Sequence, residues 1–288
     1  MDSEPEHLMP GNVVKKNTGA YYLIKSSERN HKALTFEQFL RLDIDIIIAS
    51  YIHNVEPYLR LIKEYKPKTK LIFQQGNDWP QDLGKKKNIL ASVKPFRVPS
   101  DVNACFYHQE FDASLFQFTE PKQTRHIRSF VHCLPVFEMH KQDWEDFLAL
   151  EKLLLQFKFE SYGTACREGI INKQSDLAKL MSESYFGFHL KNHGDGYGHV
   201  IFTWFATGRP VIYRSSHYQD KLAGELLVDM ETGIDLDKHS LAQSAKIVEE
   251  LSMKDYSNIC YNVKKRFSQV VDFDRDEQKI RQFINNLR

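Results

Sequence analysis

The stretch Tyr185-Phe-Gly-Phe-His-Leu-Lys-Asn-His-Gly-Asp-Gly-Tyr-Gly-His-Val-Ile-Phe-Thr-Trp-Phe-Ala-Thr-Gly-Arg-Pro-Val-Ile-Tyr-Arg214 decides how this chain folds. Residues 185–191 read as a buried strand, 199–207 as an apolar helix with Gly208 just past its end, and 210–214 as a second strand. Between the first strand and the helix stands a turn with glycine at 194, 196 and 198. In an open parallel sheet, ligands bind at the carboxyl ends of strands. A helix N-terminus there offers unpaired N–H groups and the positive end of a dipole, which suits a diphosphate. Glycines let the backbone approach such an anion closely. His189, Lys191 and His199 could add side-chain donors or positive charge.

The same strand–helix–strand rhythm extends outward in both directions. Upstream, residues 43–50 are a β-branched run of the kind found in fully buried parallel strands. A helical pattern over 55–65 and a second buried strand over 68–75 follow, with further strands at 88–93 and 103–109. The polar segment 118–126, which contains Pro121, separates this region from the next and marks a domain boundary. Beyond it come a strand at 127–133, a helix from Asp143 to Gln156, a glycine-ended strand at 157–163, and a helix over 175–184 that Ser175 can cap. Downstream of Arg214, residues 225–229 read as a short strand, and the last ~50 residues as helical. The first ~18 residues, polar with Pro and Gly, read as a loose lead-in. The fold class is α/β, with two parallel-sheet units.

Composition narrows the partners. With 39 Lys+Arg against 38 Asp+Glu, no global field draws the chain to nucleic acid or an anionic membrane. The four cysteines are scattered without metal-ligand spacing, as expected of reduced thiols in a cytoplasmic protein. Nothing in the sequence reads as a signal peptide or as an integral membrane segment.

Asp195-Gly-Tyr-Gly198, followed by Ala206-Thr-Gly-Arg-Pro-Val211, resembles the donor-site motif of GT-B glycosyltransferases of the glycogen-synthase and glycosyltransferase-1 type. The likeness continues through residues 224–237 and covers the N-terminal half by pattern alone. It is similar to a short bacterial or phage-type branch of these enzymes. The resemblance implies two Rossmann-like domains facing a cleft. Residues 1–122 form an abbreviated acceptor-side domain and 123–288 the nucleotide-sugar-binding domain, with the final helices packing back toward the first.

By position, the resemblance puts Asp195 near the transferred sugar and the backbone of Gly196, Tyr197, Gly198 and His199 against the diphosphate. His189 and Lys191 lie beside it. Thr203 stands where the family has a second acid that holds the donor ribose, and a hydroxyl is a weaker partner than a carboxylate. Gly163 matches the glycine-ended strand beside the donor base. The family's basic pair has Arg128, His132, His140 and Lys141 as candidates. In the first domain His53 and Asp78 follow strands that face the cleft and are candidates for the reacting centre. Each can equally be a loop residue or a turn cap.

The activity implied is transfer of a hexosyl group from a nucleotide sugar, a UDP-sugar favoured, with no separate cofactor and no metal. The acceptor is open among glycan, lipid, protein and modified DNA, as is the oligomeric state. The basic pieces Lys85–Lys87, Lys94–Arg97 and Arg125–Arg128 lie in or beside the first domain, where the resemblance puts the acceptor, but charge runs of this size are usually solvated surface. The alternative is a degenerate, non-catalytic nucleotide-sugar or glycan-binding module. An NAD-dependent reading fails because no Gly-x-Gly-x-x-Gly follows the first strand.

Overall fold

A computed structural model describes residues 8–9, 13–15, 21–23, 36–49, 55–76, 87–94, 102–191, 197–219 and 221–287. The elements run β1 (Leu8–Met9), β2 (Val13–Lys15), β3 (Tyr21–Leu23), α1 (Phe36–Arg41), β4 (Ile46–Ala49), α2 (Val55–Tyr65), β5 (Lys70–Gln75), β6 (Asn88–Ala91) and β7 (Asn103–Phe106). They continue with β8 (His126–Ser129), α3 (Lys141–Leu153), β9 (Lys158–Ser161), α4 (Gln174–Ser182), β10 (Phe186–Phe188), α5 (His199–Ala206), β11 (Val211–Tyr213), β12 (Gly233–Asp235), α6 (Leu241–Glu250), α7 (Met253–Val270) and α8 (Phe273–Asn285).

Two parallel sheets organise the chain. The first has the order β4-β5-β6-β7 and the second β12-β11-β10-β8-β9. The fold class is therefore α/β with two Rossmann-like units, as the alternation of short apolar runs and amphipathic stretches predicts. In the first unit, Val55, Tyr58 and Leu61 form the buried stripe of α2. They pack with Phe39 of α1 on the sheet face carrying Phe73, Ile89 and Ala91. The opposite face, with Ile72, Leu90 and Cys105, meets Phe283 of α8. The last helix thus crosses back from the second unit to cover the first sheet.

In the second unit, Ile127, Phe159, Phe186, Phe188 and Ile212 face α3, α6 and α7 through Phe147, Leu150, Val248 and Tyr256. The other face carries Val211 and Tyr213 against α4, α5 and α7. Gly187 sits in the middle of β10 because a Cβ there would come 2.6 Å from the Trp204 ring. The indole of α5 lies directly over the strand.

Three local expectations are corrected. The segment read as a loose lead-in contributes β1 and β2, which pair antiparallel, and β2 pairs antiparallel with β3 in turn. Ser175 does not cap α4: the helix begins at Gln174, with Lys173 at the N-cap and no side-chain cap, so Ser175 lies inside the first turn. Residues 225–229 are not a strand. Their backbone groups are used locally, since Val228 N–H donates to Thr232 Oγ1 at 2.8 Å and that hydroxyl donates to the Leu226 carbonyl at 3.0 Å. The strand falls instead at Gly233–Asp235, where glycine permits close approach to the Val211 backbone. No helix among the described residues is long and apolar enough to cross a membrane.

Candidate functional site

Beyond β6, Lys94 Nζ donates to the Gln219 carbonyl, which follows β11, at 2.6 Å. Beyond β7, the Gln109 carbonyl accepts from Tyr197 Oη, beyond β10, at 3.2 Å. The carboxyl ends of the two sheets therefore oppose each other, and the residues that leave them line the space between. The polypeptide crosses there twice, through residues 107–125 and again through α8. Asp276 at the start of α8 accepts from the His108 N–H at 2.9 Å and contacts its Nδ1 at 2.7 Å, while Lys279 Nζ donates to its other oxygen at 2.6 Å. Burial alone would raise the Asp276 carboxyl, but the hydrogen bonds from Lys279 and from the His108 backbone and ring outweigh it and hold the pKa below the ordinary range.

The residues described on either side of the glycine-rich stretch, up to Lys191 and from Tyr197, stand at the second unit's end of this space. His189 follows β10 with its side chain fully buried, and its N–H pairs with the Ile212 carbonyl at 3.0 Å. Lys191 is half-buried. At the far side of the turn Gly198 is the N-cap of α5, with φ 80° and ψ 39°, and no side chain caps the helix. A Cβ at Gly198 would stand 2.6 Å from the Ala223 Cβ, so both the backbone angle and the space require glycine. Asp195 and Gly196 lie outside the described residues, as do His53 and Asp78.

Side chains around the turn have specific employment. The Tyr197 ring stacks on Phe202, centroids 4.3 Å apart and 3° from parallel, and its hydroxyl reaches across to Gln109. It is a strut between the units. His199 is half-buried and packs edge-on against Phe111 at 5.8 Å. Thr203 is buried, and its hydroxyl donates to the Val200 carbonyl of its own helix at 2.9 Å. Arg209 of the Gly-Arg-Pro segment is also buried. Its guanidinium donates to the Ser182 carbonyl at 2.7 Å and the Thr119 carbonyl at 3.0 Å, tying the linker to the end of α4.

Gly163, with φ 139°, brings the ends of β8 and β9 together: a Cβ there would lie 3.0 Å from His132 Cα. His132 is exposed beside it, with Nδ1 accepting from Thr164 N–H at 3.1 Å. Of the four basic candidates, His132 is the one adjoining Gly163. Arg128 is buried and donates to Glu160 at 2.6 Å. His140 is buried 3.5 Å from Asp143. Lys141 is exposed in the first turn of α3 and makes none of the turn's described contacts. Burial would raise the Glu160 carboxyl, but hydrogen bonds from Lys158, His126 and Arg128 outweigh it and hold the pKa down at about 2. Among the described residues no group of three or more His, Cys, Asp or Glu is arranged to hold a metal ion.

Sequence reading passed over two residues that the fold brings to the turn, Tyr218 and Lys221, and took Lys94, which holds the segment beside them, only as part of a basic piece. No spacing signals them, because Tyr218 and Lys221 stand 29 and 30 residues beyond their partners and Lys94 lies 125 before its own. Gln109 was missed for the same reason.

Two Rossmann-like units with opposed strand ends define the GT-B fold. Solved structures share it. Anabaena Alr3699/HepE in complex with UDP-glucose superposes with a TM-score of 0.64 at 15% identity, over 84% of this chain and 79% of that one. TarM superposes with a TM-score of 0.63 at 10% identity, over 95% of this chain and 66% of that one. The pneumococcal O-GlcNAc transferase GtfA, in complex with UDP and GlcNAc, gives 0.58 at 11%, over 95% and 66%. At these identities the likeness establishes the fold. No protein-family model matches the chain, and no curated protein sequence matches it significantly.

Proposed function

We propose that this protein is a cytoplasmic glycosyltransferase that moves a hexosyl group from a nucleotide sugar, a UDP-sugar favoured, without a metal ion. The observation that carries the reading is the Gly198-capped start of α5. It opens the helix without a side-chain cap at the carboxyl end of β10, in the space between two opposed sheets. A helix start at that place directs backbone N–H groups and positive potential toward a diphosphate. The fold shared with HepE in its UDP-glucose complex supports the same ligand class.

In this reading residues 1–122 bind the acceptor and 123–288 the donor. The backbone of Gly196 to His199 holds the diphosphate, with Lys191 and His189 adding charge and donors, and Lys141 a further cation. Gly163 flanks the base and Thr203 stands at the ribose position. Asp195 lies by the transferred sugar, and Asp78 and His53 serve the acceptor side. The developing charge on the leaving diphosphate is met by dipoles and fixed cations.

A non-catalytic nucleotide-sugar-binding module is the second reading, favoured by the Thr203 hydroxyl being bonded into its own helix. A thermal-shift screen against nucleotide sugars tests the first step, since stabilisation grows with ligand excess over its dissociation constant. The enzyme reading expects slow hydrolysis of the stabilising nucleotide sugar, abolished by Asp195→Asn and unaffected by chelator. Binding without turnover selects the module. Activity lost on chelation and restored by manganese refutes metal independence.

A further inference from the structure

Both described ends of the glycine turn are gripped by three residues that follow β11, Tyr218, Lys221 and Ala223. At the entry, Tyr218 Oη donates to the His189 carbonyl at 3.0 Å, and Lys221 Nζ donates to the Lys191 carbonyl at 2.8 Å. At the exit, Ala223 fills the space that a side chain on residue 198 would need. Lys221 is only 1% exposed, and its ammonium lies 5.2 Å from the centre of the Tyr218 ring, within reach of a cation–π attraction. The chain beside Tyr218 is itself held from the other unit, through Lys94 and the Gln219 carbonyl.

A methionine at position 221 would fill similar volume beside Tyr218 without bringing a charge into the interior, where desolvation penalises it. The ammonium adds what an apolar chain cannot. It donates to the Lys191 carbonyl at the entry to the turn, and it places a fixed positive charge there. Fixed charge of this kind is worth more in a low-dielectric site than in water.

We infer that Lys221 is a positioning residue for the diphosphate of a nucleotide ligand, and that Lys94 extends its clamp across the cleft to the first unit. The inference rests on the reading that the glycine turn holds a nucleoside diphosphate. Lys221 holds the entry to the turn at the Lys191 carbonyl and adds its field to the site without touching the ligand. Lys94 secures the Gln219 carbonyl two residues away, so the grip on the turn depends on how the two units meet.

The test compares UDP with uridine, which lacks the phosphates, by calorimetry on the full chain. Wild type binds UDP the more tightly. Lys221→Met loses about tenfold in UDP affinity, the worth of one charged hydrogen bond, and keeps its uridine affinity. Lys221→Arg, which retains the charge, recovers most of the loss. A folded Lys221→Met that keeps UDP affinity within about twofold, or loses UDP and uridine alike, overturns the inference. If that variant does not fold, Lys94→Met decides: UDP affinity falls about threefold with uridine unchanged, and an unchanged UDP affinity overturns the proposal. A wild type that binds neither ligand removes the nucleotide reading and this inference together, whereas failure at Lys221 alone leaves that reading standing.

Discussion

At the scale of single residues, the site is a set of positions where one residue type fits. Gly198 combines a left-handed backbone with a neighbour 2.6 Å from any added Cβ. Gly198→Ala is expected to cost about 1–2 kcal/mol for the backbone angle alone. Chemical denaturation reads that loss, and UDP affinity should fall with it because the turn's exit moves. An alanine variant of wild-type stability and affinity would show that the turn tolerates another path. Gly194, Gly196 and Gly198 are visible in the sequence as a glycine-rich turn. The tertiary structure adds which neighbour, Ala223, makes glycine obligatory at 198. Thr203 shows the reverse. Its place eight residues after Asp195 is legible in the sequence, but the direction of its hydroxyl, toward Val200, comes from helix geometry.

At the scale of elements, two features hold the units together, and each is a distinct target. Phe283 carries α8 onto the first sheet among Ile72, Leu90 and Cys105. Phe283→Ala is expected to destabilise by about 3 kcal/mol, read as a lower denaturation midpoint. The same change should speed hydrogen exchange in β6 and β7; exchange there at the wild-type rate would mean α8 does not cover the sheet in solution. Arg209 pins the linker at Thr119 to the end of α4. Arg209→Met leaves the Ser182 and Thr119 carbonyls without their donor and is expected to open residues 118–120 to limited proteolysis. Here the sequence showed Gly208-Arg-Pro as a helix stop before a strand. The buried guanidinium was not readable, because its partners lie 27 and 90 residues away in the chain.

At the scale of the whole molecule, the charged groups that link elements set the response to pH. Glu160 has its pKa lowered on folding to about 2, against burial, by Lys158, His126 and Arg128. Asp276 is lowered likewise by Lys279 and His108. A lowered carboxylate contributes stability that is complete above its unfolded pKa and is lost as pH falls through the folded one. The protein is therefore expected to lose stability steadily from the ordinary carboxylate range down toward pH 2, followed by denaturant midpoints across that span. Glu160→Gln should flatten part of this acid limb while lowering stability at neutral pH by about 3 kcal/mol, since Arg128 is left buried without its partner. An acid limb identical to wild type would place the titrating groups elsewhere.

The α/β class, the strand at 186–188, the helix and strand that follow it, and the helical C-terminus were all readable from the residues alone. These rest on local periodicity and on backbone angles that glycine and proline impose within a few residues. Short-range physics also misleads at residues 225–229, where the pattern suits a strand but the Thr232 side chain takes the hydrogen bonds a ladder would need. The opposed carboxyl ends of the two sheets, the return of α8 to the first sheet, and the grip of Tyr218 and Lys221 on the His189 and Lys191 carbonyls emerge only once the chain is folded. Those contacts join residues from about 30 to more than 170 positions apart. Their energy comes from burial and hydrogen bonding between elements, which no local pattern in the chain encodes.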